Sequence, residues 1–510
     1  MKPLQSSAID RRASRSRRAR TAWPALAALT LSLASAALLT LSGCASTAGI
    51  GPTARAITPA AAGIAAAAAA TPALAPDWWR GFGDPALDAL VERALADQPG
   101  LKVAAARVER ARAAVGLARS ADGPHLDASA SVDRERLSGT AIYPPPLGGT
   151  LMTLPEVKLG GDWEFDFFGR NRAAIAAALG QVRAAEADRA AARNLLAAGV
   201  AHGYLQLARL VEQREVARAA LRQRQRMLAL IRERVGAGLD THLELRQGEG
   251  ALPENRQQIE ALDEQIMLQR HVLAALTAQP PDALDALAPR LAALHPVALP
   301  GAIPADLLGR RADIAAARAR VEAAAGEVDA ARAQFYPNIN LGGFIGLTSV
   351  GLGKLLEANS REFGVGPAIS LPIFDGGRLR ANLRGRSADY DAAVESYNGS
   401  VVDALHEVAD ALGSLRSVAR QRAEQARAQQ AVASSYELAQ QRYRAGLSNE
   451  LGVLGAETPV LAQRRLGVEL AARTIESQIA LMRALGGGYV APAGAPAGAA
   501  VASAADHAAH

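Results

Sequence analysis

Two stretches of this chain, 170–235 and 378–445, contain no proline. At about 1.5 Å per residue each would form a helix roughly 100 Å long, well beyond the helices of an ordinary globular domain. A rod of that length cannot bury itself and must lie against others of its kind. Within the second stretch Tyr390, Val394, Tyr397, Val401, Leu405, Val408, Leu412 and Leu415 step by four or three residues. That spacing is close to the ~3.5 period of a coiled-coil seam, and the alanines around it predict close helix approach. Gly236-Ala237-Gly238 and Ala445-Gly446 end the rods, and return helices are expected over 241–277 and 448–485.

The rods belong to a duplication. Gly169-Arg170-Asn171-Arg172-Ala173 recurs 208 residues later as Gly377-Arg378-Leu379-Arg380-Ala381. At the same offset Arg234, Ala237, Gly238, Leu239, Leu243 and Glu249 return as Arg442, Ala445, Gly446, Leu447, Leu451 and Glu457. Each half opens with a helical stretch, 99–120 or 312–334, that a proline ends. The period then falls from 3.6 to 2. Leu126, Ala128, Ala130 and Val132 alternate with Asp127, Ser129, Ser131 and Asp133. Val157, Leu159, Trp163, Phe165 and Phe167 alternate with Lys158, Asp162, Glu164 and Asp166, and the second half shows the same habit over 339–347 and 363–373. The predicted fold is mostly α with a four-stranded β segment per chain, each half being two strands and a long helical hairpin.

Strands of about ten residues with one apolar face match the thickness of a membrane, but four cannot close a barrel, which takes at least ~8 in a single chain. Open edges in lipid would leave backbone groups unpaired at several kcal/mol each, so strands from several copies must be pooled. Asp127, Asp133, Lys158, Asp162, Glu164 and Asp166 would then line water. Alternation alone also fits a soluble sheet packed on helices.

The ends of the chain add an address. Of 56 cationic and 50 anionic residues the first 43 positions hold seven and one, leaving 49 of each sign, so no basic body for nucleic acid remains. An uncharged run follows the cationic one and ends in Leu41-Ser42-Gly43-Cys44, at the chain's one cysteine. This reads as a secretory leader, and it resembles the lipobox of bacterial lipoproteins, in which Cys44 would carry a diacylglycerol. The expected organisation is a signal peptide over 1–43, a flexible lipid-anchored linker over 44–76, repeats over 77–300 and 301–488, and a disordered tail over 489–510. Eight histidines without ligand spacing, and the lack of a nucleophile elbow or phosphate loop, predict no catalytic residue, metal or cofactor.

Trp163-Glu164-Phe165-Asp166-Phe167-Phe168-Gly169-Arg170, the stretch from Pro304-Ala305-Asp306-Leu307-Leu308-Gly309-Arg310-Arg311 to Ile314, Phe335-Tyr336-Pro337, Pro372-Ile373-Phe374-Asp375-Gly376-Gly377-Arg378 and Ala484-Leu485-Gly486-Gly487-Gly488 resemble recurring blocks of the TolC/OprM/NodT outer-membrane efflux lipoproteins. The resemblance implies a TolC-like homotrimer with a twelve-stranded barrel in outer-membrane lipid and a periplasmic α-barrel of the long helices. It implies a passive exit duct for small molecules such as drugs, docked to a periplasmic adaptor and an inner-membrane pump. At the periplasmic aperture it assigns an apolar constriction to Leu451 and an acidic position to Glu244, while Gly452 and Gly455 stand where aspartates are usual. Those glycines and Pro459 are expected to weaken one return helix and let the tip open more readily. Other readings are a duct for protein secretion or metal-ion export, or a lipid-anchored coiled-coil spacer.

Overall fold

The computed structural model describes residues 46–58, 74–140, 142, 146–297 and 307–490, so Cys44 and the leader lie outside the described residues. A short 3-10 turn, Trp78–Phe82, precedes α1 (Pro85–Asp97). Asp84 starts α1 by accepting the N–H of Ala86, with Pro85 at the first helical position, where no N–H is needed. There follow α2 (Pro99–Ser120), β1 (His125–Arg136), β2 (Leu151–Phe165), α3 (Arg170–Gly236) and α4 (His242–Leu276). The second pass gives α5 (Ala312–Ala333), β3 (Asn338–Thr348), β4 (Arg361–Ser370), α6 (Arg378–Arg444) and α7 (Glu450–Ala484). Helix, two strands, rod and return helix are thus traversed twice. Rods α3 and α6 have 67 residues each, and return helices α4 and α7 have 35 each.

Both return helices run unbroken through an internal proline, Pro253 in α4 and Pro459 in α7. An internal proline is therefore not peculiar to α7, although the two do not coincide in the repeat: at the offset of 208 Pro459 corresponds to Ala251 and Pro253 to Leu461.

The chain forms two compact units that cut across the repeats. Among the described residues, one collects the strands and the helix ends beside them, Ala121–Arg172 and Val328–Ser387 with residues 46–51; the other holds Pro52–Ser120, Ala173–Glu327 and residues 388–490. In the first, the strands form one antiparallel sheet in the order β1-β2-β3-β4, which leaves β1 and β4 with one open edge each.

In the second unit the core gathers Trp78, Trp79, Phe82, Leu87 and Val91 against Leu205, Leu207, Ile266, Leu273, Ile475, Ile479 and Met482, from the middle of α3 and the later parts of α4 and α7. Burying such side chains contributes about 1.5–3 kcal/mol each, an upper figure because the unfolded chain is already partly compact. The stripe predicted along α6 is buried as expected at Val394, Val401 and Val408, each 0% exposed. Small residues do what the alanine content implies: a Cβ on Gly326 of α5 would lie 2.9 Å from the Ala177 nitrogen of α3, so the two helices meet backbone to backbone.

Within the expected linker, α6 side chains hold residues 46–57 by hydrogen bonds, and Arg193 donates to the Pro76 carbonyl at 3.1 Å. A composition of Ala, Pro, Gly and Thr gives few apolar contacts but leaves the backbone free to be bound.

Candidate duct lining and apertures

The register fixes which side chains share a face of the sheet. Asp127 lies opposite Gly160, Ser129 opposite Lys158 and His125 opposite Asp162; Glu164 lies opposite Asn340, and Gly346 opposite Glu362. Since successive residues point to opposite faces, these positions form one polar face with Asp133. The other face carries Leu126, Ala128, Ala130 and Val132, then Val157, Leu159, Trp163 and Phe165, then Ile339, Leu341, Ile345 and Leu347, then Phe363, Val365 and Ile369. Its charges, Arg134, Arg136 and Arg361, are confined to the β1–β2 turn end and the start of β4. Much of the apolar row is open in a single chain: Leu126 is 77% exposed, Phe363 82% and Val365 80%.

Asp127, Asp133, Lys158, Asp162 and Glu164 therefore fall on one face, and Asp166 does not join them. It lies past the end of β2, its side chain 7% exposed, and accepts the N–H of Arg172 at 2.9 Å. This carboxylate caps the first turn of α3, where unpaired N–H groups favour an anion. Asp375 does the same for α6 by accepting from Gly377 and Leu379 at 3.0 and 2.8 Å, bonds that hold its carboxyl below the usual range against a smaller opposing effect of burial.

The polar face also holds an aromatic residue that the alternation did not single out. Phe344 lies opposite Gly364, where a Cβ would approach the ring to 2.8 Å, and the Lys158 ammonium sits 4.9 Å from the ring centroid. Lys158 also pairs with Glu156 and, at 3.3 Å, with Glu362. At the sheet's other end Arg170 pairs with Glu164. Arg170 and its repeat equivalent Arg378 both line a cavity of about 290 Å³ with Glu164, Tyr336, Asn338 and Ser370. Phe168 stacks on Tyr336 at 4.9 Å; its neighbour Phe167 is 64% exposed, and Phe374, in the loop before α6, is 87% exposed.

The two hairpin turns are built differently. In the first, Arg234 donates two hydrogen bonds of 2.8 Å to Asp240, which lower the pKa of that carboxyl. Thr241 caps α4 by accepting the N–H of Leu243 at 3.1 Å, while Glu244 accepts the Thr241 N–H at 3.0 Å and also its hydroxyl. This is a capping box, and the Thr241 hydroxyl, followed by backbone N–H groups, holds the Glu244 carboxyl below the ordinary range. In the second, Asn449 alone accepts the Gly452 N–H at 3.0 Å. Leu451 is half-buried, and Gly452 and Gly455 are exposed.

Behind the second turn, buried Gln223 of α3 donates to the Leu454 carbonyl at 2.7 Å and to the Thr458 hydroxyl at 3.0 Å. Arg226, one turn further along α3, holds both Glu457 oxygens at 3.1 and 2.8 Å. Sequence reasoning missed Gln223, which sits in a polar stretch with nothing to mark it.

Two of the sequence blocks meet in space. The Arg311 guanidinium donates to Asp313 at 3.0 and 2.6 Å, to Glu407 at 2.7 Å and to the Ala484 carbonyl at 3.1 Å, closing the C-terminus of α7. Gly486, Gly487 and Gly488, all at positive φ, then thread past Arg310, Asn194 and Ala75 at distances that leave no room for a side chain.

The profile of the outer membrane efflux protein family matches residues 90–279 and 303–487. The multidrug resistance outer membrane protein MdtQ of Escherichia coli is 33% identical over 422 residues, covering 81% of this chain and 88% of its own. The fusaric acid resistance protein FusA of Burkholderia cepacia is 39% identical over 321 residues, 62% of this chain and 60% of its own. Among solved structures, the outer membrane protein VceC of Vibrio cholerae superimposes with a TM-score of 0.75 at 35% identity, covering 81% of this chain and 98% of that one.

Proposed function

Because the chain belongs to the outer membrane efflux protein family, we propose that three copies pool their four strands into one closed twelve-stranded barrel that lets solutes leave the cell passively. The observation that carries this reading is the register: across four strands it sorts every carboxylate and the one lysine to one face and a continuous apolar band to the other, with an open edge at each side of the sheet. A sheet of that kind is satisfied in lipid only if the open edge of β1 finds β4 of a neighbour, since each unpaired backbone group there costs several kcal/mol. The exposed Phe167 and Phe374, just past the apolar band, suit a membrane–water boundary. Asp127, Asp133, Lys158, Asp162 and Glu164 then line the lumen.

Energy comes from partners in this reading: a periplasmic adaptor and an inner-membrane pump, to which the helical hairpins extend through the periplasm. Small drug-like molecules are the proposed cargo, in keeping with the names of the relatives. Cys44 is the proposed acylation site and Leu451 the apolar constriction of the periplasmic aperture, with Glu244 its acidic group and Gly452 and Gly455 acid-free. The test is the protein purified from outer membranes: a trimer mass in detergent, a current across a planar bilayer, and drug hypersensitivity of a deletion strain. A monomer without current would overturn the proposal.

A further inference from the structure

The segment that follows Cys44 meets α6 at three residues. Arg380 donates to the Ser46 carbonyl and, at 3.4 Å, to that of Ala48. Asp391 accepts three hydrogen bonds, from the N–H of Thr53 at 2.8 Å, the N–H of Ala54 at 2.9 Å and the Thr53 hydroxyl at 2.9 Å. Asn398, 8% exposed, accepts the Ile57 N–H at 2.8 Å and donates to the Arg55 carbonyl at 3.0 Å. Steps of 11 and 7 residues along a helix return to nearly the same face, so the three side chains form one stripe.

Six of these seven bonds are made to main-chain atoms. The Asn398 amide pairs with the segment as a neighbouring strand would, donating and accepting at residues two apart. Such a site reads an extended backbone and is indifferent to side chains, which suits a stretch of Ala, Pro, Gly and Thr.

The duplication supplies an internal control. At an offset of 208 the equivalents of Arg380, Asp391 and Asn398 are Arg172, Arg183 and Ala190. Arg172 turns to Asp166, Arg183 pairs with Glu322 at 2.9 Å, and alanine has no amide to offer. The stripe is therefore no by-product of how a rod starts, because the other rod starts the same way and lacks it.

We propose that this stripe of α6 is a peptide-backbone site whose occupant is residues 46–57, so that the stretch behind the anchoring cysteine is docked on its own chain. Two peptide units separate Cys44 from Ser46, a reach of at most about 7 Å, so docking fixes where the acyl chains leave the protein. A free tether of the same length would let them roam.

Arg55 offers a direct readout, since trypsin must pull the docked backbone free to cut the Arg55–Ala56 bond. The full-length protein in detergent is exposed to trypsin and cleavage at that bond is followed by mass spectrometry. Asp391→Ala with Asn398→Ala should speed it by on the order of tenfold or more, with helical circular dichroism unchanged. Thr53→Pro removes two of the donors to Asp391, the N–H and the hydroxyl, without touching α6 and should act in the same direction, so a folding defect in the double variant would leave the question decidable. Cleavage of Thr53→Pro at the wild-type rate, or of the wild type as fast as an unfolded chain, would overturn the proposal.

Discussion

The glycine triplet after α7 permits a prediction in which two adjacent residues must behave differently. Gly487 has φ +56°, and a Cβ built there lies 1.8 Å from Asn194 Oδ1 and 2.5 Å from its Nδ2. Gly486 has φ +95°, and its Cβ would lie 1.8 Å from the carbonyl oxygen of Arg310 and 2.7 Å from the carbonyl carbon. Alanine at either position carries a backbone cost of about 1–2 kcal/mol for the left-handed region. Gly487→Ala also forces the Asn194 side chain aside, adding about 1–3 kcal/mol of overpacking and breaking its 3.4 Å bond to the Arg483 carbonyl. That sums to roughly 2–5 kcal/mol, a large part of a typical stability of 5–15. Removing the obstacle should return most of the steric part, so in an Asn194→Ala background Gly487→Ala should cost only about 1–2 kcal/mol, a coupling of at least ~1. Gly486→Ala meets backbone instead, and moving Arg310 drags Arg311 off Asp313, Glu407 and Ala484; no side-chain deletion can rescue it. The assay is the midpoint of heat-induced loss of helical circular dichroism in detergent at one scan rate, for the four combinations of each glycine with Asn194. Equal cost of Gly487→Ala in both backgrounds, or rescue of Gly486→Ala by Asn194→Ala, would refute the steric argument.

Tyr204→Phe should lower stability by about 1.5–3 kcal/mol, because the buried hydroxyl donates to the Asp84 carboxylate at 2.7 Å and removing it leaves that carboxylate short of a partner; thermal melting checks it. Gly452→Ala with Gly455→Ala should stabilise α7 by up to about 1 kcal/mol each, since a Cβ meets only Asn449 Oδ1 at 3.7 Å in the first case and nothing within 4 Å in the second. If the tip opens by bending there, openings in single-channel records become rarer; unchanged kinetics with a raised melting point would remove the glycines from gating. Glu244→Gln should reduce cation selectivity in reversal-potential measurements while keeping the cap, because glutamine serves the same position of a capping box. In the wild type the lowered Glu244 pKa means that both charge and cap are present at neutral pH and are lost only as pH falls through the folded value, below the ~4.3 of a free glutamate, so selectivity should stay constant until then.

What was legible in the sequence is what repeats or what has a period. The rods and return helices fall within two residues of their expected ends because glycine turns and polar caps terminate them locally, as Gly238 and Gly446 at positive φ do. The two faces of the sheet follow from alternation, which the register preserves across all four strands. Partnerships over long separations were not legible. Asp391 and Asn398 look like ordinary polar residues of a long helix until Thr53 and Ile57 are laid on them from more than 330 positions away. Asp166 fits the strand alternation as well as its neighbours do, and only the end of β2 at Phe165 shows that it has passed from wall to cap. Phe344 escaped notice because the glycine that makes room for its ring lies on the next strand.

The two hairpin turns differ in an acidic residue, and their caps give a local reason for the difference. At an offset of 208, Thr241 corresponds to Asn449 and Glu244 to Gly452. Threonine is the weaker cap of the two, and here Glu244 supports it by accepting from both its N–H and its hydroxyl. Asparagine caps α7 unaided, through one bond to the Gly452 N–H, a group every residue type but proline supplies. The carboxylate at 244 therefore has a local reason to persist that is independent of any solute passing it, and position 452 has none. If Glu244 lies in the aperture as proposed, its acidic group is there as a by-product of helix capping that conduction can use, whereas an aspartate at 452 would have to be kept for conduction alone.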